Sequence, residues 1–330
     1  MNPTRRQFLA GVAGSAIAPA LLSPFLGQTR AEEPASPMII DTHQHLWDLS
    51  KFKLPWLADA PEVYRHSYRP EEYAEATKGL NIRTVYMEVD VDPAQRPAEA
   101  EYVVDLCRNK TGATRAAVIG GRPDDPHFAD YIKRFHASGF VRGVRQVLHA
   151  PSLPAGLCVK DDFVKGVREL GKLNMCFDLC MRPTELRDGA KLCELAPDTR
   201  FVLDHCGNAD VTAFLPAATG AKPWHEPDAW KRDIELLAKH PNLICKISGI
   251  VARAPEKWTV AHLSPIVNHC LDAFGPDRVI FGGDWPVCLV RAPLAQWIDA
   301  LKQIVATRPV EDQRKLWSEN AKKFYALDVT

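Results

Sequence analysis

The chain lacks an excess of charge of either sign. Its 330 residues include 41 lysines and arginines and 41 aspartates and glutamates, so no basic surface dominates. Because nucleic-acid-binding proteins gather positive charge on one face, this composition argues against nucleic acid as a partner. Hydrophobic residues make up 46% of the chain, which is enough for the core of one large domain or of two ordinary ones.

The chain also lacks a cysteine framework. It has nine cysteines, an odd number, and no two of them stand in a C-x-x-C pair. Cys176, Cys180 and Cys245 lie in or beside apolar runs. We therefore expect buried core thiols rather than a disulfide scaffold, with an isolated surface disulfide as the alternative.

A long uninterrupted hydrophobic run is missing as well. Near the start, Arg5 and Arg6 precede Phe8 and Leu9, and the apolar stretch 12–26 is broken by Gly, Ser and Pro. Such a stretch makes a poor membrane span. Small residues near Ala31 suit cleavage, so we expect residues 1–31 to be a twin-arginine export signal to the periplasm, with disorder to about residue 35. A disordered basic tail or a short anchor is the alternative.

The rest of the chain alternates between short apolar runs and longer stretches with helical spacing. Eight runs read as strands: 38–43, 82–90, 114–121, 141–148, 174–181, 200–207, 243–250 and 278–285. Eight such β/α units predict a single-domain (β/α)8 TIM barrel over residues 38–327. An open doubly wound sheet is the alternative, but it would place a glycine-rich phosphate loop after the first strand. The first run ends in His-Gln-His instead.

Polar side chains collect where the predicted strands end, the edge at which TIM barrels carry their active sites. His43 and His45 stand two apart and therefore share one face of the first strand. Strand 6 ends in Asp204 and His205, and strand 8 ends in Asp284. Since strand 8 borders strand 1 in a closed barrel, we predict a centre of His43, His45, His205 and Asp284. Asp204 is expected to point outward and cap a helix.

Further residues near these strand ends are predicted to bind substrate. They are two arginines that can hold carboxylates or hydroxyls, one carboxylate and two candidate aromatic walls: Arg145, Arg182, Glu88, Trp47 and Trp285. Arg145 has a structural alternative, a pair with a barrel carboxylate such as Asp178. Both tryptophans also have a structural alternative, in which they cover the hydrophobic core. We expect His149, His225 and His269 to face solvent.

Several segments together resemble one known family. "DTHQHLWD", "RGVRQVL", "FDLCM", "VLDHCG", "KISG" and "FGGDWPVC" are similar to motifs of the amidohydrolase superfamily, whose members are TIM-barrel, metal-dependent hydrolases. More narrowly, they resemble its lactonase branch, which includes L-fuconolactonase and 2-pyrone-4,6-dicarboxylate lactonase. The resemblance covers residues 38–327. It implies a TIM barrel that hydrolyses a ring ester.

The chain departs from the metal-rich members of that superfamily. Those members have a lysine or glutamate late on strand 4 and a histidine at the end of strand 5. In this chain strand 4 offers Arg145 and Gln146, and strand 5 offers Asp178 and Cys180. These departures argue against a two-metal site.

Three predicted site residues could still hold one divalent metal, with zinc the first choice: His43, His45 and Asp284. The resemblance equally implies members that work without metal, and we expect no essential metal.

In the predicted reaction Asp284 takes a proton from water and returns it to the leaving oxygen. His43, His45 and His205 polarise the carbonyl, as hydrogen-bond donors or through one metal. We expect a small-molecule, sugar-derived lactone as substrate. An acidic lactone from aromatic degradation stays open, with Arg253 as a further cation for it.

Two functions from different classes stay open beside lactone hydrolysis. One is decarboxylation of an aromatic acid, although the relatives that catalyse it usually keep the strand-5 histidine that is missing here. The second is a non-catalytic, exported sugar-binding barrel, against which the intact His-x-His pair and Asp284 argue. The sequence predicts no oligomeric state.

Overall fold

The computed structural model describes residues 37–216 and 222–329. The predicted export signal lies outside the described residues. Within the described ranges, no helix is both long and apolar enough to cross a membrane.

Eight strands form one parallel sheet. They are β1 (Ile39–Gln44), β2 (Ile82–Met87), β3 (Thr114–Gly120), β4 (Val141–Val147), β5 (Cys176–Cys180), β6 (Arg200–Leu203), β7 (Leu243–Ile247) and β8 (Val279–Phe281). Each strand pairs with the next in chain order, from β1 to β8. This order confirms the TIM barrel, because a doubly wound sheet would reverse its strand order part-way.

The barrel closes between β8 and β1. Gln44 forms a parallel bridge with Trp285, and the backbone N–H of His45 donates to the carbonyl oxygen of Trp285 at 2.8 Å. The hydroxyl of Thr42 donates to the carbonyl oxygen of Phe281 at 2.7 Å. Closure therefore places the end of β8 beside the end of β1, as the sequence predicts.

Helices follow the strands and surround the barrel. They are α1 (Pro70–Ala76), α2 (Arg96–Arg108), α3 (Phe128–His136), α4 (Asp161–Lys172), α5 (Leu186–Leu195), the single turn α6 (His205–Asn208), α7 (Pro227–Ala238), α8 (Val260–Phe274), α9 (Leu294–Val305), α10 (Val310–Arg314) and α11 (Asn320–Phe324). A π-helical segment, Lys315–Glu319, joins the last two. Their buried faces pack on the sheet and form the larger hydrophobic core.

A second core fills the lower interior of the barrel. It combines inward-facing strand residues such as Ile40, Val85 and Val202 with Tyr325 and Leu327 from the C-terminal segment. Apolar side chains thus plug the end of the barrel where the strands begin, which leaves the polar residues at the opposite end. All nine cysteines are buried and unpaired, which confirms the expected core thiols.

Seven of the eight strands end earlier than the sequence predicts, and β1 ends one residue later. Beyond several of these ends the backbone enters the left-handed region, with φ of 48° at Asp90, 54° at His205 and 53° at Asp284. Residues other than glycine rarely adopt this conformation, and where they do it is often at functional sites. The apolar runs continue past these points, but the sheet does not.

Candidate active site

A cavity of about 440 Å³ opens at the C-terminal mouth of the barrel. Its lining includes His45, Trp47, Arg145, His205 and Asp284. A pocket of this size, with apolar walls and a few converging polar groups, is typical of a small-molecule site.

Asp284 lies among three imidazole rings. Its Oδ1 atom is 3.7 Å from Nε2 of His43, 3.5 Å from Nε2 of His45 and 4.0 Å from Nε2 of His205. Burial acts to raise the pKa of Asp284, but the imidazoles of His205 and His45 outweigh it and the pKa falls below its ordinary value. Asp284 is therefore a carboxylate at neutral pH.

The partner of the His45 ring fixes its proton position, and the His205 ring also has a polar partner. Nδ1 of His45 lies 3.0 Å from the carbonyl oxygen of Met87, which can only accept, so Nδ1 carries a proton. Nδ1 of His205 lies 2.9 Å from Oγ of Ser248. Burial lowers the pKa of His205 to about 4, so its ring is neutral near pH 7.

His43 has charged groups at both ring nitrogens. Nη1 of Arg145 lies 3.2 Å from Nε2, and Nζ of Lys246 lies 3.2 Å from Nδ1. Oδ1 of Asp204 lies 3.4 Å from Nδ1 and is an acceptor on that side of the ring. Burial, followed by the charge of Lys246, lowers the pKa of His43 well below its ordinary value. Both ring nitrogens of His43 thus contact neighbouring side chains, and its role as a donor to the substrate carbonyl stays a prediction.

A buried lysine that the sequence analysis missed lies beneath His43. Nζ of Lys246, on β7, donates to Oδ2 of Asp178 at 2.8 Å and to Oδ1 of Asp204 at 2.9 Å, and all three side chains are fully buried. Burial raises the pKa of Asp178 to about 6, against the opposing charge of Lys246. The signal in the sequence was a lysine inside the apolar run "LICKISGI", two residues before Ser248 and so on the same strand face.

The prediction that Asp204 points outward and caps a helix is wrong. Its side chain is fully buried and makes no cap hydrogen bond to the turn α6. Asp204 shares the inward face of Val202, two residues earlier, and the left-handed backbone at His205 lets that residue face the interior too. Burial opposes ionisation of Asp204, but Lys246 and His43 lower its pKa well below the ordinary value.

Arg145 pairs with two barrel carboxylates, Glu88 and, at 3.6 Å, Asp204, and not with Asp178. Its Nε donates to Oε1 of Glu88 at 2.7 Å, and its Nη2 donates to the carbonyl oxygen of Glu88 at 2.7 Å. Arg145 still lines the cavity. Glu88 is 1% exposed and is not part of the lining, and its contact with substrate stays a prediction. Its carboxylate holds Arg145 and accepts from the backbone N–H of Asp90.

The two tryptophans separate in the structure. Trp47 forms a wall of the cavity, with its indole N–H donating to the carbonyl oxygen of His66 at 2.7 Å. Trp285 is 2% exposed and packs edge-on against Tyr68 and Tyr73, with ring centroids 5.0 and 5.2 Å away. Trp285 is therefore a lid on the core, the alternative that the sequence left open for it.

Arg182 lies outside the main cavity. It pairs with Glu185 at 2.9 Å, donates to the carbonyl oxygens of Ala150 and Leu153, and lines a second cavity. Arg182 is thus not part of the lining around Asp284, and its binding of substrate stays a prediction.

The expectation that three histidines face solvent is also wrong. His149 lines the main cavity, and His225 is buried, accepting from the backbone N–H of Asp210 at 2.8 Å. His269 packs against Trp230 with centroids 5.3 Å apart. Their loop and helix positions suggested exposure, but tertiary packing covers His225 and His269, and His149 faces the cavity.

A profile of the family described as "Amidohydrolase" matches residues 40–327, nearly the whole described chain. The chain belongs to this family.

Two curated relatives of this amidohydrolase-family chain carry lactonase names. An L-fucono-1,5-lactonase from Burkholderia multivorans is 26% identical over 87% of this chain and 96% of the relative. An L-rhamnono-gamma-lactonase from Scheffersomyces stipitis is 23% identical over 88% and 98%. A solved amidohydrolase from Burkholderia multivorans with bound zinc is 24% identical, with a TM-score of 0.76 over 88% of this chain and 99% of that one. The structural likeness establishes the shared fold.

The amidohydrolase site has residues that fit one divalent cation. His43, His45 and Asp284 each offer a ligand atom, and these atoms lie within 4.8 Å of one another. Because Nδ1 of His45 carries a proton that it donates to the carbonyl oxygen of Met87, Nε2 presents a lone pair, the arrangement of metal-binding histidines. Two nitrogens and one carboxylate oxygen suit zinc. Arg145 lies against Nε2 of His43 and would compete with the ion for that nitrogen.

Proposed function

We propose that this amidohydrolase-family enzyme opens a lactone, a cyclic ester, by attack of water, with Asp284 as the general base. The observation that carries the proposal is the Asp284 carboxylate, held among His43, His45 and His205 at the mouth of the barrel. The lactonase names of relatives that match along most of the chain support this reaction type.

Asp284 is suited to move a proton at this position. Its lowered pKa keeps it ionised, it lines the cavity, and its Oδ1 has no hydrogen-bond partner at short range among the three imidazoles. A water molecule bound to Oδ1 would lose its proton to Asp284 as it attacks the carbonyl carbon. The same proton would then pass to the ring oxygen as the ester bond breaks.

Two neighbouring groups can stabilise the negative charge that develops on the carbonyl oxygen. When the hydroxyl of Ser248 donates to Nδ1 of His205, Nε2 of that ring carries the proton and faces the cavity. Arg145 adds a fixed positive charge in the cavity wall, held by Glu88 and His43. Such pre-oriented donors act strongly in a site with little water.

A divalent metal held by His43, His45 and Asp284 would, when bound, polarise the carbonyl oxygen or acidify a water. Because Arg145 and His205 already supply positive charge and a donor, we expect turnover to persist after chelation. Metal analysis and lactone hydrolysis, measured before and after chelator treatment, test this expectation. Complete loss of activity that one equivalent of zinc restores would contradict it.

We infer a sugar-derived lactone as the substrate class. The names of the L-fucono- and L-rhamnono-lactonase relatives support this inference. The wall formed by Trp47 supports it as well, because an aromatic face packs well against the C–H surface of a sugar ring.

The test is proton release by the purified protein from a panel of five- and six-membered aldonolactones and unsaturated dicarboxylate lactones. The variant Asp284→Asn should lose about 10²-fold or more in turnover. The variant Asp233→Asn serves as control, since that carboxylate is also buried but binds Arg187 outside the barrel mouth. Near-normal turnover of Asp284→Asn would refute the assignment. Release of CO₂ would identify a decarboxylase, and tight binding without turnover a binding protein.

We further propose that residues 1–31 direct export to the periplasm through the paired Arg5 and Arg6. Replacing both arginines by lysine should retain the protein in the cytoplasm, as measured by cell fractionation. Unchanged export of that variant would contradict the proposal.

A further inference from the structure

A second cavity of about 240 Å³ adjoins the main one at the barrel mouth. His149 and Arg253 line both cavities and therefore mark the border between them. The main cavity, of about 440 Å³, contains Asp284 and is by itself large enough for the lactone of a single sugar. The second cavity is thus space that hydrolysis of such a small lactone does not use.

A tryptophan with an exposed side chain forms one wall of the second cavity. Trp224 leaves 53% of its surface exposed. Its backbone N–H donates to Oδ2 of Asp210 at 3.2 Å, and the guanidinium of Arg253 lies over one face of the ring, 4.6 Å from the centroid. These contacts hold the indole in place, and the exposed surface belongs to its opposite face and its edges. An aromatic face of this kind is suited to pack against a ligand.

Several polar groups of the second cavity can both donate and accept hydrogen bonds. Burial, and then the charge of Arg253, lowers the pKa of His149 to about 4, so its ring is neutral near pH 7. A neutral imidazole donates through one nitrogen and accepts through the other, and the hydroxyl of Thr184 can do both. Arg182 also lines this cavity, but Glu185 balances its charge at 2.9 Å.

An aromatic wall beside such groups matches the surface of a sugar. A sugar ring has C–H groups on its faces and hydroxyls around its edge, so it can pack on Trp224 while its hydroxyls bond to His149 and Thr184. The main cavity repeats this arrangement, with Trp47 as its aromatic wall. Each cavity therefore offers one tryptophan to one ring.

We propose that the second cavity binds a further sugar unit, which is joined to the lactone ring by a glycosidic bond. The substrate is then the lactone of a disaccharide acid, with its lactone ring beside Asp284 and its second ring against Trp224. Water opens the ring ester, and the glycosidic bond stays intact. This inference rests on the proposed lactone hydrolysis for the first ring, while binding of the second ring can be measured without turnover.

Lactones that share one ring test the proposal. Cellobiono-1,5-lactone and lactobiono-1,5-lactone both consist of D-glucono-1,5-lactone with a further hexose on its C4 oxygen. Contacts of the added hexose with the second cavity should raise kcat/KM about 10- to 100-fold over D-glucono-1,5-lactone for at least one of the two, after spontaneous hydrolysis is subtracted. Values for both disaccharide lactones at or below that of D-glucono-1,5-lactone would overturn the proposal.

Variants of the cavity wall assign the preference to the second cavity. Trp224→Ala should remove most of the ratio between the disaccharide and monosaccharide lactones, and Trp224→Phe, which keeps an aromatic face, should retain part of it. Thr184→Phe should also lower the ratio, because a large side chain at this exposed wall position fills the space for the second ring.

A matched control keeps the type of substitution and changes its place. Trp258→Ala, at a half-buried tryptophan that lines neither cavity, should leave the ratio unchanged. A ratio that survives in both Trp224→Ala and Thr184→Phe would refute the second sugar site.

Binding separates this proposal from the proposed hydrolysis. The corresponding lactams carry N–H in place of the ring oxygen and resist hydrolysis, so calorimetric titration into the native enzyme and into Trp224→Ala gives dissociation constants free of turnover. Tighter binding of a disaccharide lactam that depends on Trp224, with no hydrolysis of any lactone, would support the second sugar site and reject the hydrolase. Hydrolysis of D-glucono-1,5-lactone, with equal binding of the monosaccharide and disaccharide lactams, would support the hydrolase and reject the second sugar site.

Discussion

Replacing Lys246 by methionine tests the buried ion network beneath the site. Methionine nearly preserves the volume of the side chain but removes its charge, so the carboxylates of Asp178 and Asp204 lose the donor that lies 2.8 and 2.9 Å away. All three side chains are fully buried. Breaking such a pair typically costs about 3–5 kcal/mol. At roughly 2–4 °C per kcal/mol, the melting temperature should fall by roughly 6–20 °C.

The loss should depend on pH in a definite direction. Burial raises the folded-state pKa of Asp178 to about 6 even with Lys246 present, and removing the lysine raises it further. Between its unfolded-state pKa and a higher folded-state pKa, a carboxyl group holds its proton in the folded state but not in the unfolded state. The free energy of unfolding therefore falls as pH rises through this window. The Lys246→Met variant should therefore lose more stability at pH 8 than at pH 5, where Asp178 is protonated.

Thermal unfolding followed by circular dichroism at both pH values measures the effect. Lys165→Met is the control, because that lysine pairs with Asp162 on the exposed surface and should change stability by less than about 1 kcal/mol. Adding Asp178→Asn to the variant should restore part of the lost stability, since one unpaired carboxylate is removed. A loss equal at pH 5 and pH 8, or a loss no larger than in the control, would refute this account of the network.

Two further predictions concern the support of His205. Ser248→Ala removes the hydrogen-bond partner of Nδ1 of His205 and should lower the free energy of unfolding by about 1 kcal/mol. Turnover should fall roughly 10- to 100-fold, because the His205 ring loses its fixed proton position. Unchanged turnover would reject this role for Ser248. Gly249→Ala would place a Cβ atom 2.2 Å from Nδ1 of His205 at a φ of +70°, so both stability and activity should fall sharply. Gly139→Ala is the control, because Gly139 also has a positive φ, +76°, but no atom lies within 4 Å of the added Cβ. It should lower the free energy of unfolding by about 1–2 kcal/mol and leave turnover intact. Equal effects of the two glycine variants would contradict the predicted clash with His205.

The barrel and the position of its site followed from local patterns. Eight apolar runs separated by helical stretches imply parallel β/α units, and each run corresponds to a strand in the structure. Closure then brings the two ends of the sheet together, which is why His43 and Asp284 could be paired across about 240 residues of sequence. Polar residues at the ends of buried strands remain the strongest signal of a site, because burying them without purpose is costly.

Which side chains point inward, and which partners they find, depended on the tertiary structure. The left-handed backbone at His205 breaks the two-residue alternation, so Asp204 and His205 both face the interior, which spacing alone does not predict. Lys246 lay hidden in an apolar run because its partner carboxylates come from two other strands.

By itself, the sequence determined the alternation of strands and helices, the single barrel and the identity of the polar residues at its mouth, because these depend on periodicity and on neighbours along the chain. The tertiary structure alone decided how the charges pair. Arg145 is matched by Glu88, 57 residues away, whereas Arg253 has no carboxylate partner among the described residues. Pairing of buried charges depends on distances of a few ångströms between segments remote in sequence, and folding alone sets those distances.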